Sequence, residues 1–431
     1  MHARIHCGGV PLLLAVGLAT AAPAATRVVD ATGANGAYRS VKALLSQVLL
    51  KPGDTVEIHA GTYAEAVGLS KIAGTKTAPI TFRGMGKRPV WDGRGKHAGT
   101  VGGQGRALWE VGGDCHDLVF ENLEWFNARS NETENAAGIR LLPGAERLAF
   151  RRCRIHHCQN GFFTSHGAAD LLIEFCEVDH NGNRSTDQEH GFYVSADGLT
   201  VQHCYIHDNG AGANYKSRSK DEVFRYNWVE NAGNFEIDLV EDSTFASQDA
   251  WLYGNVIIQA DGKHNWNKQD EYPTNTSKIV KFGGEGHARK GTLYFVNNTV
   301  VGHFPNTALF QADSPVIAVN NVYLSDAKWQ GRLVSHALSG GPVSGSNNWF
   351  PAAAKLDGLS RLRGTLTGTD PGFVAAGSLD FHLKASSPLR NVASRSLPAT
   401  VKLTREPARG PDGGPARTGD GPVDIGAFEF R

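Results

Sequence analysis

The sequence predicts an all-β solenoid: a parallel β-helix with one coil per repeat, closed at its N-terminal end by a helix. Three observations carry this. Apolar segments such as "LVFENLEWF", "LAFRRCRIH", "LIEFCEVDH" and "VFRYNWVEN" align, and one column of that alignment reads Leu123, Cys153, Cys176, Cys204, Asn227, Asn255, Asn298 and Asn321. Successive spacings in the column are 30, 23, 28, 23, 28, 43 and 23 residues, a short period with insertions, which marks a solenoid. Within each period, Val, Ile, Phe and Tyr alternate with polar residues over short stretches bounded by Gly or Asn, which is the period of strands.

The elements follow in chain order. Residues 1–25 have the pattern of an export signal: a weakly basic start (His2, Arg4, His6), the apolar run "VPLLLAVGLA", and the small-residue site "APA". The remainder, 26–431, reads as one β-helix domain, because single coils cannot bury their apolar faces alone. Over 26–100 lie the cap and first coils. There "YRSVKALLSQVLL" (38–50) has helical spacing, and a helix at this point covers the open edge of the first coil. In the middle coils equivalent residues stack about 4.8 Å apart, so an Asn column forms an amide ladder and a Cys column a buried apolar one. Over 351–431 the repeat fades into last coils and a Gly/Pro-rich tail ending in "IGAFEF".

Composition excludes several functions. Lys plus Arg equals Asp plus Glu at 43 each, so nothing in the balance favours nucleic acid or an anionic membrane, and a secreted or periplasmic monomer is expected. Outside the signal stand Cys115, Cys153, Cys158, Cys176 and Cys204, an odd number without CxxC spacing, which argues against a disulfide framework or zinc site. His156, His157, His180, His203 and His207 fall near coil corners and are expected to hydrogen-bond there.

"KPGDTVEIHAGTYAEAVGLSKIAGTKTAPITFRGMGKRPVWDG" and "TDPGFVAAGSLDFHLKASSPLRN" with "DIGAFEF" resemble the opening and closing segments of secreted pectate-lyase-like proteins, especially the branch of the family-nine pectate lyases. The resemblance implies a single-stranded right-handed parallel β-helix acting on an acidic polysaccharide. The superfamily also holds epimerases, hydrolases and binders, so it implies the fold more strongly than the substrate.

A second set of segments, including "GFYVSAD", "GANYKSR", "NFEIDLV", "SKIVKFG" and "TALFQAD", supplies another strand per coil. Alternation turns Ile139, Phe162, Val194, Tyr215, Ile237 and Val280 inward. The opposite face then carries Tyr193 and Ser195, then Asn214, Lys216 and Arg218, then Glu236 and Asp238, then Lys281 and Gln311, with Ser195 expected beside Lys216 and with Leu142 and Ser165 continuing the column. Insertions beside this stripe bring His190 on one side and Trp266 and Lys268 on the other, suited to sugar stacking and to carboxylates.

Such a stripe suits β-elimination of a uronic-acid polymer. That reaction needs a base for the C5 proton, cations for the carboxylate and a proton source for the leaving oxygen. "NYKSRSKDEVFRYN" resembles the Lys-Ser, Arg-x-Asn pattern of the chondroitinase B and alginate lyase group, which implies that Lys216 is the base. Arg218, His190 and Tyr193 complete the expected catalytic set, and Ser195, Lys281, Gln311, Trp266 and Lys268 the substrate contacts. A carboxylate about 6 Å from Lys216 favours its charged form by roughly 3 kcal/mol, which opposes its use as a base. A Ca²⁺ held by Asn214, Glu236 and Asp238 reverses that sign, so calcium assistance is expected. Alternatives are a C5-epimerase, since "EHGFYVS" resembles the "KHGIIVS" coils of alginate epimerases, a hydrolase using Glu236, Asp238 and Asp187, and a non-catalytic glycan binder.

Overall fold

The computed structural model describes residues 23–94, 106–129, 136–182, 188–210, 212–262, 278–325, 332, 334–335, 340–354, 356, 361–419 and 421–431. Most of the expected signal, together with Asp187, Trp266 and Lys268, therefore lies outside the described residues.

One coil shows how the sequence makes the fold. Lys220–Arg225 forms a strand, Trp228–Glu230 a second and Ile237–Leu239 a third, before the chain returns to Ala250–Tyr253 above the first. Repetition stacks these into three parallel sheets, whose ten to thirteen strands run the length of the chain from Thr26–Val29 to Leu366–Gly368. The strands are short because each side of the coil is only a few residues wide. In the Lys220–Arg225 sheet the inward column is Leu118, Leu148, Leu171, Leu199 and Glu222, with Phe120, Phe150, Ile173, Val201 and Phe224 two residues further on. A single buried cluster runs through the coil interior from Val29 to Phe350.

Two sharp corners per coil are each turned by one residue with left-handed backbone. Arg152, Phe175, His203 and Tyr226 (φ 52 to 57) precede the Cys/Asn column, and His157, His180, Asp208 and Asn231 (φ 52 to 62) turn the next corner. Side chains with a Cβ resist this region, and the column beside it compensates with hydrogen bonds. Each Asn accepts the backbone N–H of the residue one coil earlier: Cys204 from its N to Asn227 Oδ1 at 2.9 Å, Asn227 to Asn255 at 2.9 Å, Asn255 to Asn298 at 3.0 Å, Asn298 to Asn321 at 2.9 Å. The ladder ends on Asn348, one rung beyond the aligned column. Below it the five cysteines are buried and free, as the spacing predicts.

The N-terminal helix is shorter than its periodicity suggests. It spans Val41–Leu45, capped by the Ser40 side chain on the Ala43 N–H, with Val41 and Leu44 buried. Ser46 closes it, its N–H bonding back to the Lys42 carbonyl, and the Glu65 carboxylate fixes the start by accepting the N–H groups of Val41 and Lys42.

The tail has a larger role than a faded repeat implies. Trp228, Val256, Val322 and Trp349 point out of the sheet containing Trp228–Glu230, and they are buried against Phe373, Phe381, Leu383, Leu389, Ile425 and Phe428. That sheet is thus covered on its outer face. The sheet containing Ile237–Leu239 is left to carry chemistry.

Candidate active site

On that sheet the pairing register gives an outward column: Glu110, Arg140, Phe163, Tyr193, Lys216, Asp238, Lys281, Gln311 and Ser335. Ile139, Phe162, Val194, Tyr215, Ile237 and Val280 point inward and are buried, as alternation requires. Lys216 lies between Tyr193 and Asp238, not beside Ser195, because Val194 is level with Ser217. The same register puts Arg140 and Phe163, not Leu142 and Ser165, in the flanking coils.

Three cations of this stripe meet one carboxylate that the sequence did not single out. Glu285 Oε1 lies 2.7 Å from Lys216 Nζ and 3.6 Å from Lys281 Nζ, and its Oε2 lies 2.6 Å from Arg218 Nη2. Asp238 sits beneath, 3.5 Å from Lys216 and 3.2 Å from Lys281. Burial would raise the Glu285 carboxyl, but Lys216, Lys281 and Arg218 outweigh it and hold it at about 2. Burial likewise works against the Lys216 ammonium, yet Asp238 and Glu285 more than compensate and its pKa is raised. At neutral pH Lys216 is an ammonium.

Local backbone explains how Glu285 arrives. Gly283, Gly284, Glu285 and Gly286 all have positive φ, so the chain doubles back over its own strand. Glycine suits the φ of 92° at position 284, and a Cβ there would stand 2.8 Å from Lys281 Cε and 3.0 Å from Gln311 Nε2, displacing the ends of both side chains. The signal in the sequence is a lone acid in "GGEG", four residues after Lys281.

Other expected residues fall around this centre. The Lys216 ammonium lies 5.5 Å from the Tyr193 ring centroid, and the Tyr193 hydroxyl accepts Arg218 Nε–H at 3.4 Å. His190 packs its ring against Tyr193 and is buried, and burial, then Lys216, push its pKa well down. Its Nδ1 accepts the Ala213 N–H at 2.9 Å, so the neutral ring carries its proton on Nε2. Ser195 donates instead to Asp242 at 3.0 Å, beside His166.

The expected calcium ligands do not form a set. Asn214 is buried, its Oδ1 accepting from Asn209 at 2.7 Å and its Nδ2 donating to Glu230 O and to Glu236 Oε2. Glu236 accepts further bonds from the Ala232 and Ala260 N–H groups, and burial raises its pKa to about 8. Both residues precede their strands, where the corner turns the chain and alternation no longer applies. Glu236 is thus held inside the corner, while Asp238 stands in the outward column. Elsewhere, donor atoms of His180, His207 and Asp208, and of Glu177, Asp179 and His207, lie within 4.8 Å of one another. There both His207 nitrogens face carboxylates, Asp208 at 2.6 Å and Glu177 at 3.3 Å. Burial opposes the charge, but these carboxylates raise the imidazole to about 9, which makes the cluster an ion-pair network at neutral pH.

Fold and site together define a right-handed parallel β-helix with a cationic stripe on one sheet. A family model described as a right-handed β-helix region matches residues 111–264. Among solved structures, pectate lyase Pel9A is similar over 95% of this chain and 97% of that one, with TM-score 0.53 and 14% identity. A rhamnogalacturonan lyase is similar over 80% of this chain and 87% of that one, with TM-score 0.46 and 12% identity. The GH136 lacto-N-biosidase of Eubacterium ramulus is similar over 80% and 68%, with TM-score 0.43 and 14% identity. No curated protein matches the sequence. At these identities the likeness shows the fold. No helix among the described residues is long and apolar enough to cross a membrane.

Proposed function

We propose that the protein is a polysaccharide lyase that cleaves a uronic-acid-containing chain by β-elimination. One observation carries the reading: Lys216 and Arg218 of one coil and Lys281 two coils further on converge on a single carboxylate, that of Glu285. A uronate carboxylate has the same charge and shape, and in this reading it displaces Glu285. The charge developing at C5 during proton removal then spreads onto an oxygen already facing cations.

In the reaction, Lys216 in its neutral form takes the C5 proton. The C5–H electron pair becomes the C4=C5 bond, the C4–O bond breaks, and the leaving oxygen takes a proton. Tyr193 is the proton source, one coil away, positioned by Arg218 and by the His190 ring. Lys281 and Arg218 hold the carboxylate, and Gln311 extends the contact surface by one coil. The expected calcium ligands are engaged elsewhere, so no step is routed through a metal. The cations of the chain neutralise the carboxylate.

The test is a screen of polygalacturonate, alginate, glucuronan and glycosaminoglycans for the ultraviolet absorbance of an unsaturated uronate, with excess chelator in parallel. Product should form with chelator present and be abolished in Lys216→Ala. Complete dependence on added Ca²⁺ overturns the metal-free assignment, and undiminished turnover by Lys216→Ala overturns the base. The His190–Tyr193 pair keeps C5-epimerisation as the second reading, which proton NMR separates by altered C5 stereochemistry without new chain ends.

A further inference from the structure

The outward column has a third cation, Arg140, three coil steps from Lys216 on the side of Phe163 and Tyr193. Its side chain is only 10% exposed, and its Nε is 4.0 Å from the nearest Glu110 oxygen, too far for a hydrogen bond. Among the described residues neither Nε nor Nη1 has a hydrogen-bond partner. A guanidinium out of water ordinarily engages its planar fork with a carboxylate, in paired hydrogen bonds. Here burial works against the charge more than the nearby Glu110 carboxylate supports it, and two buried donors are left without a hydrogen-bond partner. The floor between the two cations is aromatic: Arg140 lies over the Phe163 ring at 5.2 Å, and Phe163 meets Tyr193 edge-on at 5.3 Å.

We propose that Arg140 is a second anion-binding subsite, taking a carboxylate of the same polyuronate chain whose other carboxylate sits at Lys216, with Phe163 and Tyr193 as the stacking floor between them. Three coil steps are about 14 Å, a span that a single sugar ring does not cover. A polymer acidic at every unit presents a carboxylate to both sites at once, and one with isolated acids does not. The proposal rests on the lyase reading of the Lys216 centre for its choice of ligand, and it adds a length requirement that the reading alone lacks.

The experiment is calorimetric binding of oligogalacturonates and oligomannuronates, dimer through hexamer, to the full chain in a Tyr193→Phe background, which removes the proton source while keeping the stacking ring and every cation, with and without Arg140→Gln. Affinity should step up by roughly tenfold once the oligomer reaches both sites, and Arg140→Gln should remove the step while leaving dimer binding unchanged. Because Arg140→Gln leaves Glu110 without its nearby cation, Glu110→Gln/Arg140→Gln is measured as well and should show the same length-selective loss. Equal loss at every length, or no loss, overturns the subsite. If oligomers bind with the step but wild-type protein yields no unsaturated product, the lyase reading falls and the subsite stands. If product forms and no Arg140-dependent step appears, the reverse holds. Absence of binding by any oligomer removes both.

Discussion

At the scale of the residue, the site turns on the charge state of Lys216. Asp238 and Glu285 raise its pKa, and a base must be neutral, so kcat/KM should climb with pH through the alkaline range. Glu285→Gln removes one of the two carboxylates that raise it. The rising limb should then move to lower pH, and KM for a uronate oligomer should fall on the order of tenfold, since the substrate no longer competes with a built-in carboxylate. A rising limb that stays in place would exclude Lys216 as the titrating base. Much of this centre was legible in the sequence: strand alternation puts Tyr193, Lys216, Asp238, Lys281 and Gln311 on one outward face, while the register that sets Tyr193 rather than Ser195 beside Lys216 is fixed only in the fold. Glu285 was not, because its contact with Lys216 spans 69 residues and depends on a turn whose path only the folded chain reveals. Asn214 and Glu236 were misread for a related reason: alternation describes strands, and both lie in corners.

At the scale of the element, the corners fix the coils. The Asn column was visible as a repeat, but its hydrogen bonds show why it recurs beside left-handed residues. Asn255 Oδ1 accepts the Asn227 backbone N–H at 2.9 Å, while its Nδ2 donates to Phe224 O at 3.0 Å and to Asn298 Oδ1 at 2.9 Å. Removing the amide leaves buried groups of two coils without partners. Asn255→Ala should therefore destabilise the fold by about 3 kcal/mol, read from the urea midpoint. A cost within experimental error would mean that water replaces the rung. Asn181 and Asn209 form a shorter ladder at the next corner, at 2.9 Å, and Asn209 hands it on to Asn214. The residue expected to bind metal is the end of a ladder that sets the position of the strand bearing Lys216.

At the scale of the whole molecule, the sheet with the cationic column stands apart from the one that the tail covers. Residues 371–431 bury Trp228, Val256, Val322 and Trp349, a contribution of about 2 kcal/mol for each large side chain. They also reach toward the site: Arg409 pairs with the Glu230 carboxylate at 2.8 Å, and the Glu230 carbonyl accepts from Asn214 at 2.8 Å, two residues before Lys216. The sequence marked this segment as the place where the repeat ends and, by resemblance, as a closing segment, but not as a cover, since an apolar outer face on the sheet of Trp228–Glu230 has no distinct period from an inner one. A chain ending at Asp370 should expose an apolar strip along that sheet. Apolar dye binding and self-association should appear, the melting temperature should fall by more than Asn255→Ala lowers it, and affinity for uronate oligomers should weaken as the Glu230–Asn214 link loosens. A truncated chain that stays monomeric and melts where the full chain does would show that the coils alone bury enough surface to stand. In that outcome the tail is a cover laid over a finished solenoid. If the predicted losses appear together, the tail is a brace that both completes the second core and holds the corner from which Lys216 projects.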